Sequence, residues 1–277
     1  SLMRFIFKTK YDQDINVSRH SGDRFWYSLL IITMLAMPLL IDDFYLGEIS
    51  YICILAIAGI GLMILSGYTG LASLGHAAFL GIGAYTHAFL LTHGIPFIVS
   101  IPIVIIISFL VGAIIGIPIL RLSGMYLAIA TLALCFIAEH VFIRWEHFTG
   151  GNRGLAVPSE QIFGISLTNS TVFYYLCLFF LVLSMFAAIN ILRSPTGRAF
   201  VAIRDSEIAA QSLGVNLGIY KALSFAISGA FTGLAGSLLA HYIGYLAPDI
   251  FNIFLSLTLL LLIVVGGMGS LHGCVFG

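Results

Sequence analysis

Few residues in this chain can do chemistry, and those that can sit in apolar surroundings. The run Gly67-Tyr68-Thr69-Gly70-Leu71-Ala72-Ser73-Leu74-Gly75-His76-Ala77-Ala78-Phe79-Leu80-Gly81-Ile82-Gly83-Ala84-Tyr85 places Thr69, Ser73 and His76 among small residues, with His87 just beyond. If it forms one continuous helix, Thr69, His76, Gly83 and His87 fall near a single stripe, because spacings of seven and eleven are close to whole numbers of turns. Such a stripe either lines a path for a polar solute or packs on a neighbouring helix with its imidazoles bonded to backbone carbonyls. Further on, Thr131, Cys135 and Glu139 share an i, i+4 stripe, and Glu139 is the acidic residue that falls inside an apolar run. A carboxylate there is expensive, which makes it a candidate for a path lining or a proton site; near the outer end of its run it can also serve packing or topology. The candidate path therefore comprises Thr69, Ser73, His76, Gly83, His87, Thr131 and Glu139. No Ser/His/Asp constellation, metal-ligand spacing or Gly-x-x-x-x-Gly-Lys-Ser/Thr loop can be assembled, so neither a catalytic residue, a metal site nor a resident cofactor is expected.

The elements that must position these residues follow from composition. Of 277 residues, 60% are hydrophobic and 9% charged, against about a quarter charged in soluble domains. Apolar runs near the ~20 residues that cross a bilayer recur along the chain, which predicts an all-α, polytopic membrane bundle. Reading runs against their breakers gives about eight spans, near 27–41, 51–66, 71–92, 97–120, 124–143, 172–192, 222–243 and 253–269. Residues 1–26 precede them as a cytoplasmic segment, and 27–277 form the membrane domain. The glycine-dense stretch from Gly266 to Gly277 reads as leading into further helices. Pairs of small residues four apart, Gly112/Gly116, Gly229/Gly233 and Gly273/Gly277, fit helix contacts within the chain. Cys53, Cys135, Cys177 and Cys274 stand singly, as small buried hydrophobes.

Orientation comes from Lys and Arg. Arg4, Lys8, Lys10, Arg19 and Arg24 precede the first span, and threading eight spans puts Arg121, Arg193, Arg198, Arg204 and Lys221 on the same side, ten of twelve basic residues. That side is the cytoplasm. The outer loop at 144–171 then holds Arg144 and Arg153. Zero net charge and the absence of like-charge blocks give no reason to expect nucleic acid as a partner.

The cytoplasmic loop at 193–221 is the most informative stretch. It reads as two short helices, with Thr196 capping the first, Asp205 or Ser206 capping the second, Glu207 in its first turn, and Gly214 as a left-handed stop. A short amphipathic helix there suits docking into a groove of a soluble partner, or is an ordinary solvated loop.

Ala209-Ala210-x-x-x-Gly214 resembles the coupling loop of binding-protein-dependent importer permeases, with Glu207 one place ahead of the usual glutamate and Ile208 in its position. The 67–85 run, Thr149-Gly150-Gly151-Asn152-Arg153-Gly154-Leu155 and Val264-Val265-Gly266-Gly267-Met268-Gly269-Ser270-Leu271-His272-Gly273 are similar to the branched-chain amino acid branch, closer to the LivM type than to LivH. The resemblance implies a permease of a bacterial inner-membrane importer, moving leucine, isoleucine or valine. Its partners would be a LivH-like second permease, two cytoplasmic ATPases carrying ATP and magnesium, and an extracytoplasmic binding protein. Arg204, Asp205, Glu207, Ala209, Ala210 and Gly214 would form the ATPase-coupling loop. Urea and short-amide permeases resemble the same branch, and an ion-gradient transporter using Glu139 and the histidines is the rival of a different class.

Overall fold

The computed structural model describes residues 33–38, 41–119, 122, 124–158, 161–162, 165–166 and 169–276. Two compact units divide after residue 46. The first holds a helical piece at 33–38 and the opening turn of α1 (Asp43–Leu62). The expected segment 1–26 and much of the span at 27–41 lie outside the described residues.

The second unit runs from α1 through a π turn (Met63–Tyr68) to α2 (His76–Thr92), α3 (Phe97–Ile119), α4 (Met125–Arg144), α5 (Ser170–Arg193), α6 (Pro195–Asp205), α7 (Glu207–Ser212), α8 (Leu217–Ile243), α9 (Ile253–Gly266) and α10 (Leu271–Phe276). Among the described residues, five helical segments are long and apolar enough to cross a bilayer: Asp43–Tyr68, Phe97–Pro118, Met125–Arg144, Ser170–Arg193 and Leu217–Ile243. α2 and α9 are shorter, at 17 and 14 residues. The architecture is an all-α, polytopic membrane protein. On α3 the large exposed side chains Ile106, Leu110, Ile114 and Ile117 recur every three or four residues, as a lipid-facing stripe requires.

Three expected spans differ in detail, the first being that at 51–66, whose helix already starts at Asp43. The span at 71–92 is not one helix: residues 69–75 are irregular and α2 begins at His76. The span at 253–269 stops at Gly266, because Gly267 and Gly269 adopt φ of +98° and +92° and turn the chain into α10.

α8 lies at the centre of this unit, buried along most of its length, and α2 and α3 pack closely on it. The approach is set by missing side chains. A Cβ on Gly112 of α3 would lie 2.6 Å from the Phe225 carbonyl oxygen, and one on Gly116 would lie 2.9 Å from Ala222 Cα. On α8, Gly229 faces the Ser108 carbonyl and Gly233 the Ser108 side chain, so the first two small-residue pairs are contacts within the chain. Gly273 packs on the Gly266 carbonyl; its pair-mate Gly277 lies outside the described residues. Between α4 and α5 lie β1 (Leu155–Ala156), which pairs antiparallel with β4 (Tyr245–Leu246) just after α8, and β2 (Gln161–Ile162), which pairs with β3 (Ile165–Ser166). The four cysteines are free and buried.

Candidate functional site

Irregular backbone at membrane depth survives only if protein groups satisfy it. Much of the 63–77 stretch is held in this way. Thr69 N and Thr69 Oγ1 both donate to the Ile64 carbonyl, at 3.2 and 3.0 Å, and Leu71 N donates to the Leu65 carbonyl at 3.1 Å. Ser66 Oγ donates to the Leu71 carbonyl at 3.0 Å, and Leu74 N donates to Thr131 Oγ1 of α4 at 3.0 Å. α2 has no side-chain cap from its own N-cap residue, Gly75. Ser256 of α9 takes that part, accepting from Ala77 N at 2.9 Å. The break is thus held by α4 and α9.

The polar stripe is therefore corrected in part. Thr69 is not on α2, because the π turn and the break intervene. His76, Gly83 and His87 do share one face, and it meets α8. His76 Nδ1 lies 3.1 Å from Ser73 Oγ, and its Nε2 lies 2.7 Å from Ser228 Oγ. Gly83 sits on the Gly233 backbone. His87 Nε2 is 2.9 Å from His241 Nε2, and its Nδ1 is 2.9 Å from Ser100 Oγ, which in turn donates to the Phe97 carbonyl at 2.9 Å. Two facing imidazole nitrogens need one N–H and one lone pair. With Ser100 committed as a donor, His87 Nδ1–H points at Ser100 and His241 Nε2–H at His87, one consistent chain. The imidazoles are held by side chains, not by the backbone carbonyls the sequence suggests. Ser100, Ser228, His241 and Ser256 escaped the sequence reading; their only signal is polarity inside apolar runs.

That chain makes a prediction. His241→Ala leaves His87 Nε2 buried without its partner, and should lower stability by about 1–3 kcal/mol. Chemical unfolding of the purified protein in detergent measures it, and His241→Gln, which can still donate, should recover part of the loss.

On α4, Leu127, Thr131, Cys135 and Phe142 are buried, so the Thr131–Cys135 stripe faces inward. Cys135 Sγ is 4.0 Å from Ser256 Oγ. Glu139 is half-buried one turn further along and forms no ion pair among the described residues.

The loop at 193–221 is two short helices joined at a cap, as its sequence predicts. Ser206 Oγ accepts from Ala209 N at 3.3 Å, and Gly214 has φ of +84° after Leu213. One detail differs: Ser194, not Thr196, stands at the N-cap of α6, because Pro195 occupies the first helical position with its φ already set. Ala210 is buried, whereas Ile208 and Leu213 are 81% and 82% exposed. Arg204 Nη1 donates to the Gly67 carbonyl at 3.1 Å and its Nε and Nη2 hold Asp205 Oδ1, both at 3.2 Å. Glu207 Oε1 pairs with Lys221 Nζ at 2.7 Å.

The apolar helices, the broken segment before α2 and the structured, apolar-tipped loop define a polytopic helical membrane protein. The chain belongs to the family described as branched-chain amino acid transport system permease component, whose model matches residues 44–277. It is 36% identical over 272 residues to the high-affinity branched-chain amino acid transport system permease protein LivM of Salmonella typhimurium, covering 89% of this chain and 64% of that protein. To LivM of Escherichia coli K12 it is 34% identical over 267 residues, covering 87% and 63%. To LivH of Escherichia coli K12 it is 28% identical over 152 residues, covering 51% and 48%. The chain thus spans less than two thirds of the length of the LivM proteins it matches. No solved structure matches it.

Proposed function

We propose that this chain is a translocation subunit of an ATP-driven importer that carries leucine, isoleucine or valine across a bacterial inner membrane. The likeness to LivM over most of the chain carries this reading. The α6–α7 loop supports it: Ile208 and Leu213 project from a short helix, as anchors for a groove on a soluble partner would. Arg204, Asp205, Glu207, Ala209, Ala210 and Gly214 act here as the ATPase-coupling loop. ATP and magnesium belong to two cytoplasmic ATPases, a LivH-like permease completes the membrane part, and an extracytoplasmic binding protein delivers substrate.

The N-terminus is cytoplasmic and the chain crosses about eight times, counting the span at 27–41 and the short α2 and α9. Contacts support this threading, since segments assigned to one side meet each other. The outer β1 pairs with the outer β4, and the inner Arg204 and Glu207 meet the inner Gly67 and Lys221. Thr69, Ser73, His76, Gly83, His87, Thr131 and Glu139 line the path that opens when α2, α4 and α8 shift relative to one another.

The test is uptake of labelled leucine into vesicles holding the full chain with its partner subunits, varying internal ATP, binding protein and proton gradient independently. Uptake that requires both ATP and binding protein is expected. Uptake driven by the gradient alone would overturn the reading in favour of a secondary transporter built on Glu139.

A further inference from the structure

The cytoplasmic loop is tied to the membrane core at two points. The first is Arg204, whose Nη1 reaches the carbonyl of Gly67, where the π turn after α1 ends. Its stem is seated as well. Gly70 has φ of +76°, and a Cβ there would lie 3.0 Å from Arg204 Cγ and 3.4 Å from its Cα, so linker and α6 touch along the backbone. A Cβ on Gly269 would lie 3.7 Å from Nη1. The guanidinium stands where three breaks in regular structure meet: the end of the π turn, the left-handed Gly70, and the turn into α10. The second tie is the Glu207–Lys221 pair, which joins α7 to a buried residue of α8.

Followed inward, both ties end on one side chain. From Gly67 the linker leads to Ser73, at His76 Nδ1. From Lys221, two turns along α8 lead to Ser228, at His76 Nε2. A helix such as α8 transmits displacement along its axis without help. An irregular linker transmits it only when fastened at both ends, here by Arg204 at Gly67 and by Thr131 at Leu74.

We propose that Arg204 is a positioning residue that makes the 67–75 linker move together with α8 when the cytoplasmic loop moves, so that the displacement reaches the Ser73–His76–Ser228 contact. This rests on the reading of α6 and α7 as the ATPase-docking element. The planar guanidinium suits the task because one face of its fork grips Asp205 while the remaining nitrogen reaches Gly67; an ammonium is a single point and cannot do both.

Arg204→Ala and Arg204→Lys, each in the full chain assembled with its partner subunits, test the tie by two readouts. In hydrogen–deuterium exchange, Arg204→Ala should speed exchange of the 67–76 amides by about tenfold while α6 and α8 stay within about twofold. Leucine taken up per ATP hydrolysed should fall by about tenfold, the scale of breaking one link in a coupling network. Arg204→Lys should fall between the two on both. Faster exchange spread evenly through α6, α8 and the linker, or unchanged uptake per ATP, would overturn the proposal. If the unmodified assembly shows no ATP-dependent uptake, the importer reading fails, and the exchange contrast by itself decides whether Arg204 fastens the linker.

Discussion

Gly83→Ala should destabilise the protein by about 3 kcal/mol or more, at the upper end of what overpacking a close contact costs. The added Cβ would fall on the Gly233 carbonyl and lie 2.6 Å from Gly233 Cα. What it meets is backbone, which no rotamer change can move, so α2 and α8 would have to separate. Separation then loses neighbouring contacts, because Gly236 rests on the Leu80 carbonyl and a Cβ there would already be 3.0 Å from Ala84 N. It would also stretch His76–Ser228 and His87–His241, which bridge the same pair of helices on either side of Gly83. Within a bilayer, lipid tails offer no hydrophobic drive to push the helices back together, so the packing lost is association lost. Gly94→Ala is the control: its φ is +77° but nothing lies within 4 Å, so only the left-handed backbone penalty of about 1 kcal/mol applies. Unfolding of the two variants in the same detergent should separate them clearly, and a Gly83→Ala midpoint equal to that of the unmodified protein would mean that α2 and α8 do not approach this closely.

What the sequence could reveal about this core follows from which interactions are local. Small residues four apart on one helix state that something comes close, and Gly112/Gly116 and Gly229/Gly233 do so. They do not state what comes close, so the meeting of Gly83 with Gly233 had no readable signal. Local cap chemistry was equally legible: Ser206 starts α7 and Gly214 ends it for reasons contained within a few residues. Thr196 misled because Pro195, one place earlier, already fixes the helix start at Ser194. The glycines of the third span allow a break, but its place at 69–75 was not legible, for a different reason. Its sequence is apolar enough for a span, and a helix is the default where backbone groups lack water. The alternative becomes affordable only because Thr131 and Ser256, 57 and 179 residues further along, supply hydrogen-bonding groups at Leu74 and Ala77. The same distance hides Ser228 and His241 as partners of the two histidines.

Glu207→Ala should cost more than an ordinary surface change, although Glu207 itself is 40% exposed at its side chain. The reason is its partner. Lys221 is only 5% exposed and meets Glu207 at 2.7 Å, so removing the carboxylate leaves an ammonium in the helix packing without that counter-charge. Breaking a fully buried pair from one side costs roughly 3–5 kcal/mol, and the half-exposed carboxylate, open to solvent, reduces this to about 1–3 kcal/mol. Lys221→Met in the Glu207→Ala background removes the stranded charge and keeps the volume, so most of that loss should return. Uptake should not return with it, because neither variant ties α7 to α8. Unfolding and ATP-driven leucine uptake, measured on the same two proteins, therefore separate the two parts of the argument. Equal instability of the single and double variants would show that Glu207 is not what makes the buried Lys221 tolerable. Full uptake in the double variant would show that movement of the loop reaches α8 by another route, leaving Arg204 and the 67–75 linker as the arm that matters.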